Sequence, residues 1–208
     1  MLINELKKDL TNREAAYRLL SVCYYQPSAA WDVANFFPNL IGTLETISPE
    51  ASVSAKLMAV ARGESNQEEL AVDYARLFVG PMALQAPPYG SVYLDIGNKV
   101  MGASTAEVLK FYREAGLAID QDFTEMPDHI AVELEFVSYL LQQALASDDD
   151  AEIKLWLDRG SHFMDTFLGR WYVQLCEAVR SNTDNAFYIA LADCTYLLLS
   201  QDLPTSSV

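Results

Sequence analysis

Apolar residues along this chain recur at helical spacing, and strand-like alternation hardly occurs. Leu19, Val22 and Cys23 fall on one side of a projected helix, as do Leu70, Tyr74 and Leu77, and again Val108, Leu109 and Tyr112. Each group follows a start signal. Thr11 with Glu14, Ser65 with Glu68 and Ser104 with Glu107 have the spacing of a capping box, in which side-chain oxygen and carboxylate satisfy orphan backbone donors. Ser48 followed by Pro49 is a fourth start, because proline at the first helical position lacks only a donor that has no partner there. The pattern predicts helices at 3–25, 29–37, 49–62, 66–79, 104–116, 126–146, 151–180 (with a weak point at Gly169) and 184–200. Period-two alternation shows only between Ser91 and Asp95. The expected fold is all-α, an irregular helical bundle forming a single domain over residues 1–208.

One stretch interrupts this regularity. Residues 80–102 hold Gly80, Pro81, Pro87, Pro88, Gly90, Gly97 and Gly102, through which no helix is expected to persist. The same stretch holds Met82, Leu84, Tyr89, Val92, Tyr93, Leu94 and Ile96, too apolar for a disordered linker. An ordered loop with aromatic groups available to a partner is expected; the plainer alternative is a loop that only covers core. Just before it, Tyr74, Leu77 and Phe78 share one helical face, ordinarily a core stripe.

The segment from Asp120 to Glu135 is the other informative one. Pro127 fits a helix's first turn, and Asp128 fits beside the exposed N–H groups and positive dipole of a helix start. On the helix that follows, His129 and Glu133 project to the side of Phe136, Val137 and Leu140, whereas Asp128, Glu135, Ser138 and Gln142 project to the polar side. A histidine and a carboxylate one turn apart on an apolar face can be a buried charge-assisted pair, two metal ligands, or the acid/base couple of a small hydrolase.

Charge narrows the partners. The formal net charge is −15, and it is uneven: residues 1–113 carry 10 Lys and Arg against 12 Asp and Glu, residues 114–208 carry 4 against 17. Such a surface repels nucleic-acid phosphates and anionic lipid and favours a basic peptide, unless the acidity serves solubility alone. The opening MLINELKKDL is broken by Glu5, Lys7, Lys8 and Asp9, so no secretory signal is read, the mature chain is expected to begin near Met1, and a cytoplasmic location is expected. The apolar run Ala186–Leu199 is too short to cross a bilayer and contains Asp193, so it reads as a core helix and no membrane insertion is expected. Cys23, Cys176 and Cys194 are odd in number and far apart in sequence, which fits reduced, buried thiols.

Catalytic equipment is thin. With two histidines, His129 and His162, and neither Cys-x-x-Cys nor His-Glu-x-x-His, a metal site is poorly supplied. Gly90-Ser91 lacks the Gly-x-Ser-x-Gly turn of a hydrolase, and no Gly-Lys-Ser or Gly-Lys-Thr is present to cradle a phosphate. The expectation is a protein that is not an enzyme and carries no cofactor.

Four runs of residues resemble the TorD/DmsD/NarJ superfamily of molybdoenzyme-maturation chaperones, the DmsD branch most closely. They are Tyr74-Ala75-Arg76-Leu77-Phe78; Val79-Gly80-Pro81; Pro87-Pro88-Tyr89-Gly90-Ser91-Val92-Tyr93-Leu94-Asp95; and Glu125-Met126-Pro127-Asp128-His129. Met126 stands between Glu125 and Pro127, where the family's usual signature has proline directly after glutamate, and Tyr89 stands where tryptophan is common in that branch. The resemblance implies a helical chaperone that binds the twin-arginine leader and the catalytic subunit of a molybdopterin oxidoreductase, similar to dimethyl sulfoxide reductase, until its cofactor is inserted. It also implies contact with the twin-arginine translocase, and guanine nucleotide binding has been discussed for the superfamily. By the same likeness the peptide-binding residues would be Tyr74, Leu77, Phe78, Pro88, Tyr89, Gly90, Ser91, Glu125, Asp128 and His129. A leader offers two arginines and then an apolar run, which an acidic rim beside an aromatic, proline-rich groove would match.

Overall fold

The hydrophobic periodicity is realised as helices packed around one buried cluster. The computed structural model of the chain describes residues 2–28, 31, 35–80, 84–117 and 125–202. In chain order the elements are α1 (Leu2–Val22), α2 (Phe36–Ile47), α3 (Pro49–Glu64), α4 (Gln67–Tyr74) running straight into a π turn (Ala75–Val79), and α5 (Gly90–Leu94). There follow α6 (Ala103–Glu114), α7 (Ile130–Ala146), α8 (Asp150–Thr166), a 3-10 turn (Leu168–Arg170), α9 (Tyr172–Asn182) and α10 (Ala186–Asp202). Helix α7 packs on α1 and α8, α10 packs on α3 and α9, and α2 bridges α1 and α3. Leu20, Leu44, Met58, Leu70, Leu134 and Leu198 are wholly buried in the shared core. Each large apolar side chain so buried contributes about 1.5–3 kcal/mol relative to exposure.

Local chemistry explains where the helices begin. Ser48 accepts a hydrogen bond from Ala51 N with Pro49 at the first helical position, as the sequence predicts. The capping box of α4 lies one residue beyond the expected one: Asn66 accepts from Glu69 N at 2.8 Å, and Glu69 accepts from Asn66 N at 3.3 Å. Ser65 is unavailable for that role because it closes α3, donating its N–H to Ala61 O. Thr11 starts nothing: α1 runs through it, and its hydroxyl donates to Lys7 O. Ser104 is likewise inside α6, where its N–H and hydroxyl both donate to the Asp95 carboxylate, so the cap is supplied from outside the helix. A Cβ at Gly102 would fall on that carboxylate, which makes glycine necessary there.

Three differences from the predicted elements have simple causes. Helix α2 lies where a connection was expected between the predicted helices 29–37 and 49–62, although it contains Pro38 and Gly42. Pro38 sits in the first turn, where no donor is required, and Gly42 is on the exposed side. The predicted helix 29–37 falls partly on residues 29, 30 and 32–34, which lie outside the described residues. Inside the expected loop 80–102, residues 90–94 form α5, so the alternation from Ser91 to Asp95 is helical and not extended; residues 81–83 of that loop lie outside the described residues. The weak point at Gly169 is real and becomes the 3-10 turn between α8 and α9.

The π turn after α4 bears on the site. Gly80 donates to Ala75 O at 2.6 Å, and Gly80 then leaves the helix at φ 71°, a left-handed conformation that favours glycine. The extra residue in the turn lets both Leu77 and Phe78 face the core. At the opposite end of the chain, Asp202 of α10 pairs with Arg13 and accepts from Tyr17 Oη at 2.6 Å, tying the last helix to the first.

Leu44→Ala is expected to lower stability by about 2–5 kcal/mol in urea unfolding, through lost burial and a residual cavity. Val53→Ala on the exposed face of α3 is expected to change it by no more than about 0.5 kcal/mol.

Candidate peptide-binding site

The loop before α5 is fastened at two places. Ala86 N donates to Leu77 O at 2.9 Å, laying the loop on the π turn. Further on, Gly90 N donates to Asp128 O and Ile130 N donates to Pro88 O, both at 2.8 Å. These two bonds make an isolated antiparallel bridge between Tyr89 and His129, so segments far apart in sequence become one surface.

Asp128 serves this junction differently from the sequence expectation. It is 1% exposed, and its Oδ2 accepts from Ser91 N at 2.8 Å, capping α5 and not α7. Helix α7 begins only at Ile130, and its own cap is His129, whose Nδ1 accepts from Ala131 N at 3.1 Å. Pro127 therefore belongs to the preceding turn, with its carbonyl held by Tyr112 Oη at 2.8 Å. Asp128 turns inward because α5 presents an orphan donor there, which an exposed carboxylate would not satisfy. Ser138, also expected on the polar side, is buried and donates to Glu14.

The His129 ring lies between two tyrosines, stacked with Tyr25 at 6.0 Å and edge-on to Tyr89 at 5.3 Å. Acceptance at Nδ1 requires the neutral imidazole with its hydrogen on Nε2. Burial enforces the same state, pushing the histidine's pKa down to about 3. Around this ring stand two half-buried carboxylates. Glu135 bonds Tyr25 and Ser21, and burial raises its carboxyl above the usual range. Glu125 acts on Tyr74, Tyr89 and Tyr25; burial first and this carboxylate second push the Tyr89 phenol up to about 12.

Among the ten residues named from sequence, the structure gathers Tyr74, Pro88, Tyr89, Gly90, Ser91, Glu125, Asp128 and His129 around one junction. Tyr89 and Glu125 are partly exposed; Pro88, Gly90, Ser91, Asp128 and His129 form the buried floor. Leu77 and Phe78 are in the core behind Tyr74, with the Tyr74 and Phe78 rings 5.3 Å apart. Tyr25 and Glu135 are the members that sequence reasoning missed. Tyr25 was expected inside a helix running to residue 25, but α1 ends at Val22 and the turn after it sets the direction of the ring; Glu135 is marked only by its contacts with Tyr25 and Ser21, which the sequence does not show.

His129 and Glu133 do not act on one another as a couple. Glu133 is fully buried and accepts from Trp171 Nε1 at 3.1 Å, while His129 is engaged by the cap. Among the described residues no group of three or more His, Cys, Asp or Glu side chains is placed to hold a metal ion. Cys23, Cys176 and Cys194 are buried and unpaired, and burial pushes the thiols of Cys176 and Cys194 up to about 12, as inert core residues.

Residues 45–177 match the model of the nitrate reductase delta subunit family. The chain belongs to that family, which takes in the TorD and DmsD chaperones. The TorD chaperone of Shewanella loihica is 28% identical over 91% of this chain and 90% of its own length. A Tat proofreading chaperone, DmsD, of Haemophilus influenzae is 30% identical over 88% of this chain and 86% of its own. A redox enzyme maturation protein from Archaeoglobus fulgidus has the same fold, with a TM-score of 0.55, 22% identity, and coverage of 88% of this chain and 93% of that one. The TorD/DmsD assignment agrees with the four runs read from sequence, three of which meet at the Tyr89–His129 bridge or adjoin it through the Ala86–Leu77 bond.

The neutral cap makes folding depend on pH with a definite sign. His129 takes up a proton near pH 6.5 when unfolded and near pH 3 when folded, so the unfolded chain binds more protons between these values. This contribution to stability is complete above about pH 6.5 and is lost as pH falls towards about 3. Asn caps a helix without titrating. His129→Asn is therefore expected to lose less stability than the wild type between pH 7 and pH 4 in urea unfolding; equal losses would contradict the cap assignment.

Proposed function

We propose that the surface around His129 receives the twin-arginine leader of a molybdopterin oxidoreductase precursor, and that the chain is a maturation chaperone holding this precursor in the cytoplasm before export. The observation that carries the reading is the meeting of two half-buried carboxylates, Glu125 and Glu135, with the rings of Tyr25 and Tyr89 at one junction. A guanidinium suits both elements: its fork donates two N–H bonds to carboxylate oxygens, and its plane stacks on an aromatic face. The apolar run that follows the arginines lies against Pro87, Tyr89 and Met126, which are partly exposed beside the same bridge.

Membership of a chaperone family supports a holding role in place of catalysis, and the engagement of His129 and Glu133 in separate structural bonds points the same way. Among the described residues no helix is long and apolar enough to cross a membrane. The net charge of −15 favours encounter with a cationic leader and makes its affinity fall with salt.

Titration of a synthetic twin-arginine leader peptide tests the reading. Tyr89→Ala, and the double substitution Glu125→Gln with Glu135→Gln, are each expected to weaken binding at least about tenfold, or about 1.4 kcal/mol. Unchanged affinity in both variants would remove this site.

A further inference from the structure

Beneath the bridge, apart from the half-exposed rim of Tyr25, Tyr89, Glu125 and Glu135, lies a buried polar cluster. Ser91 Oγ, Asp128 Oδ1 and Glu133 Oε1 are all buried without a hydrogen-bond partner, in residues 0–1% exposed. They surround the same short piece of backbone. Ser91 N is 2.8 Å from Asp128 Oδ2, and a Cβ at Gly90 would stand 3.5 Å from Glu133 Oε1 and 3.0 Å from Trp171 Nε1. A side chain at Gly90 would crowd the indole, which would have to shift by a few tenths of an ångström, whereas the carboxyl would stand at ordinary contact distance. Trp171 in turn stacks on Tyr93 of α5, with centroids 5.5 Å apart, and donates to Glu133 Oε2.

Two carboxyl groups enclosed this way must either hold a cation or shed a charge. Facing Glu133 are Asp128 from the turn before α7, Tyr112 from α6 and the Trp171 indole from the start of α9; neutral His129 stands one turn earlier on the same side. No lysine or arginine is among the groups acting on Glu133. Burial, opposed by the Trp171 hydrogen bond and reinforced by Asp128, raises the Glu133 carboxyl well above the usual range. Two facing carboxylates offer each other acceptors only, and a proton on one of them supplies the donor.

We propose that Glu133 is protonated in the closed protein and directs its O–H at the unpartnered Oδ1 of Asp128, so that one proton locks the Pro88–Leu94 segment onto α7. Glu133 is thereby a positioning residue for the surface around Tyr89: it sets whether the floor is docked. Loss of the proton to solvent base leaves two negative charges in one buried cluster, and the segment capped by Asp128 is the part free to move away. The sign follows from linkage. A carboxyl raised in the folded state favours the closed form most fully below its unfolded value, and that contribution is lost as pH rises through the folded value.

Trp171 is its own reporter, because it touches the group that titrates and is shielded from water while the floor is docked. The test follows tryptophan emission and acrylamide quenching of the full chain between about pH 6 and pH 10, the range in which strongly buried carboxyls titrate. The wild type is expected to show one transition of single-proton steepness, about a tenfold change in the ratio of forms per pH unit, with quenching greater on the alkaline side. Glu133→Gln retains an acceptor for Trp171 and supplies a permanent N–H donor to Asp128, so it is expected to show the low-pH emission and low quenching throughout. Trp171→Phe assigns the signal and is expected to abolish it. The proposal is overturned if the wild type shows no transition, if the transition persists in Glu133→Gln, or if it survives in Trp171→Phe.

Discussion

Two backbone hydrogen bonds, Gly90 to the Asp128 carbonyl and Ile130 to the Pro88 carbonyl, set the geometry on which the rest of the site depends. They are the only β-type pairing among the described residues of an otherwise helical chain, and they join a proline-rich loop to the start of the central helix α7. Because backbone bonds fix direction as well as distance, the side chains on either strand of the bridge have little freedom. Tyr89 is delivered edge-on to His129, Asp128 is turned under α5, and Gly90 is pressed on Trp171. Each local choice supports the others: the inward Asp128 caps α5, which frees the α7 start for His129, whose capping role demands the neutral ring that the tyrosines enclose.

This arrangement separates two kinds of acid. Asp128 and Glu133 are inside, each with one oxygen held, by the Ser91 amide and the Trp171 indole respectively. Glu125 and Glu135 are half-exposed beside Tyr25 and Tyr89, within reach of a cation arriving from outside. On the reading proposed above, the floor gives the surface its shape and the charged, aromatic rim meets the peptide.

The helical architecture was legible because amphipathic periodicity dominates the chain, and Ser48-Pro49 marks a start that the structure uses. The sequence misled where a residue's partner comes from elsewhere in the fold. Ser104 looks like a cap and is instead held by Asp95, Thr11 bonds back within α1, and α2 runs through residues where a connection was expected. At the site, the pairing of the Tyr89 loop with the Asp128–His129 turn was anticipated from the resemblance. The inward rotation of Asp128 was not, because nothing in the sequence shows that five residues after Tyr89 form a helix in need of a cap. Tyr25 was missed for a similar reason: its role exists only through contacts made by tertiary packing.

Amide hydrogen exchange, resolved by residue in the native chain, tests the central claim most directly. If the bridge organises the site, the amides of Gly90, Ser91 and Ile130 are protected to a degree approaching that of core α7 amides such as Leu134, while Asn98 and Lys99 in the exposed connection exchange quickly. Exchange of Gly90 and Ile130 as fast as Asn98 would mean that the two segments are not joined in solution, and the account of the site would fail with them.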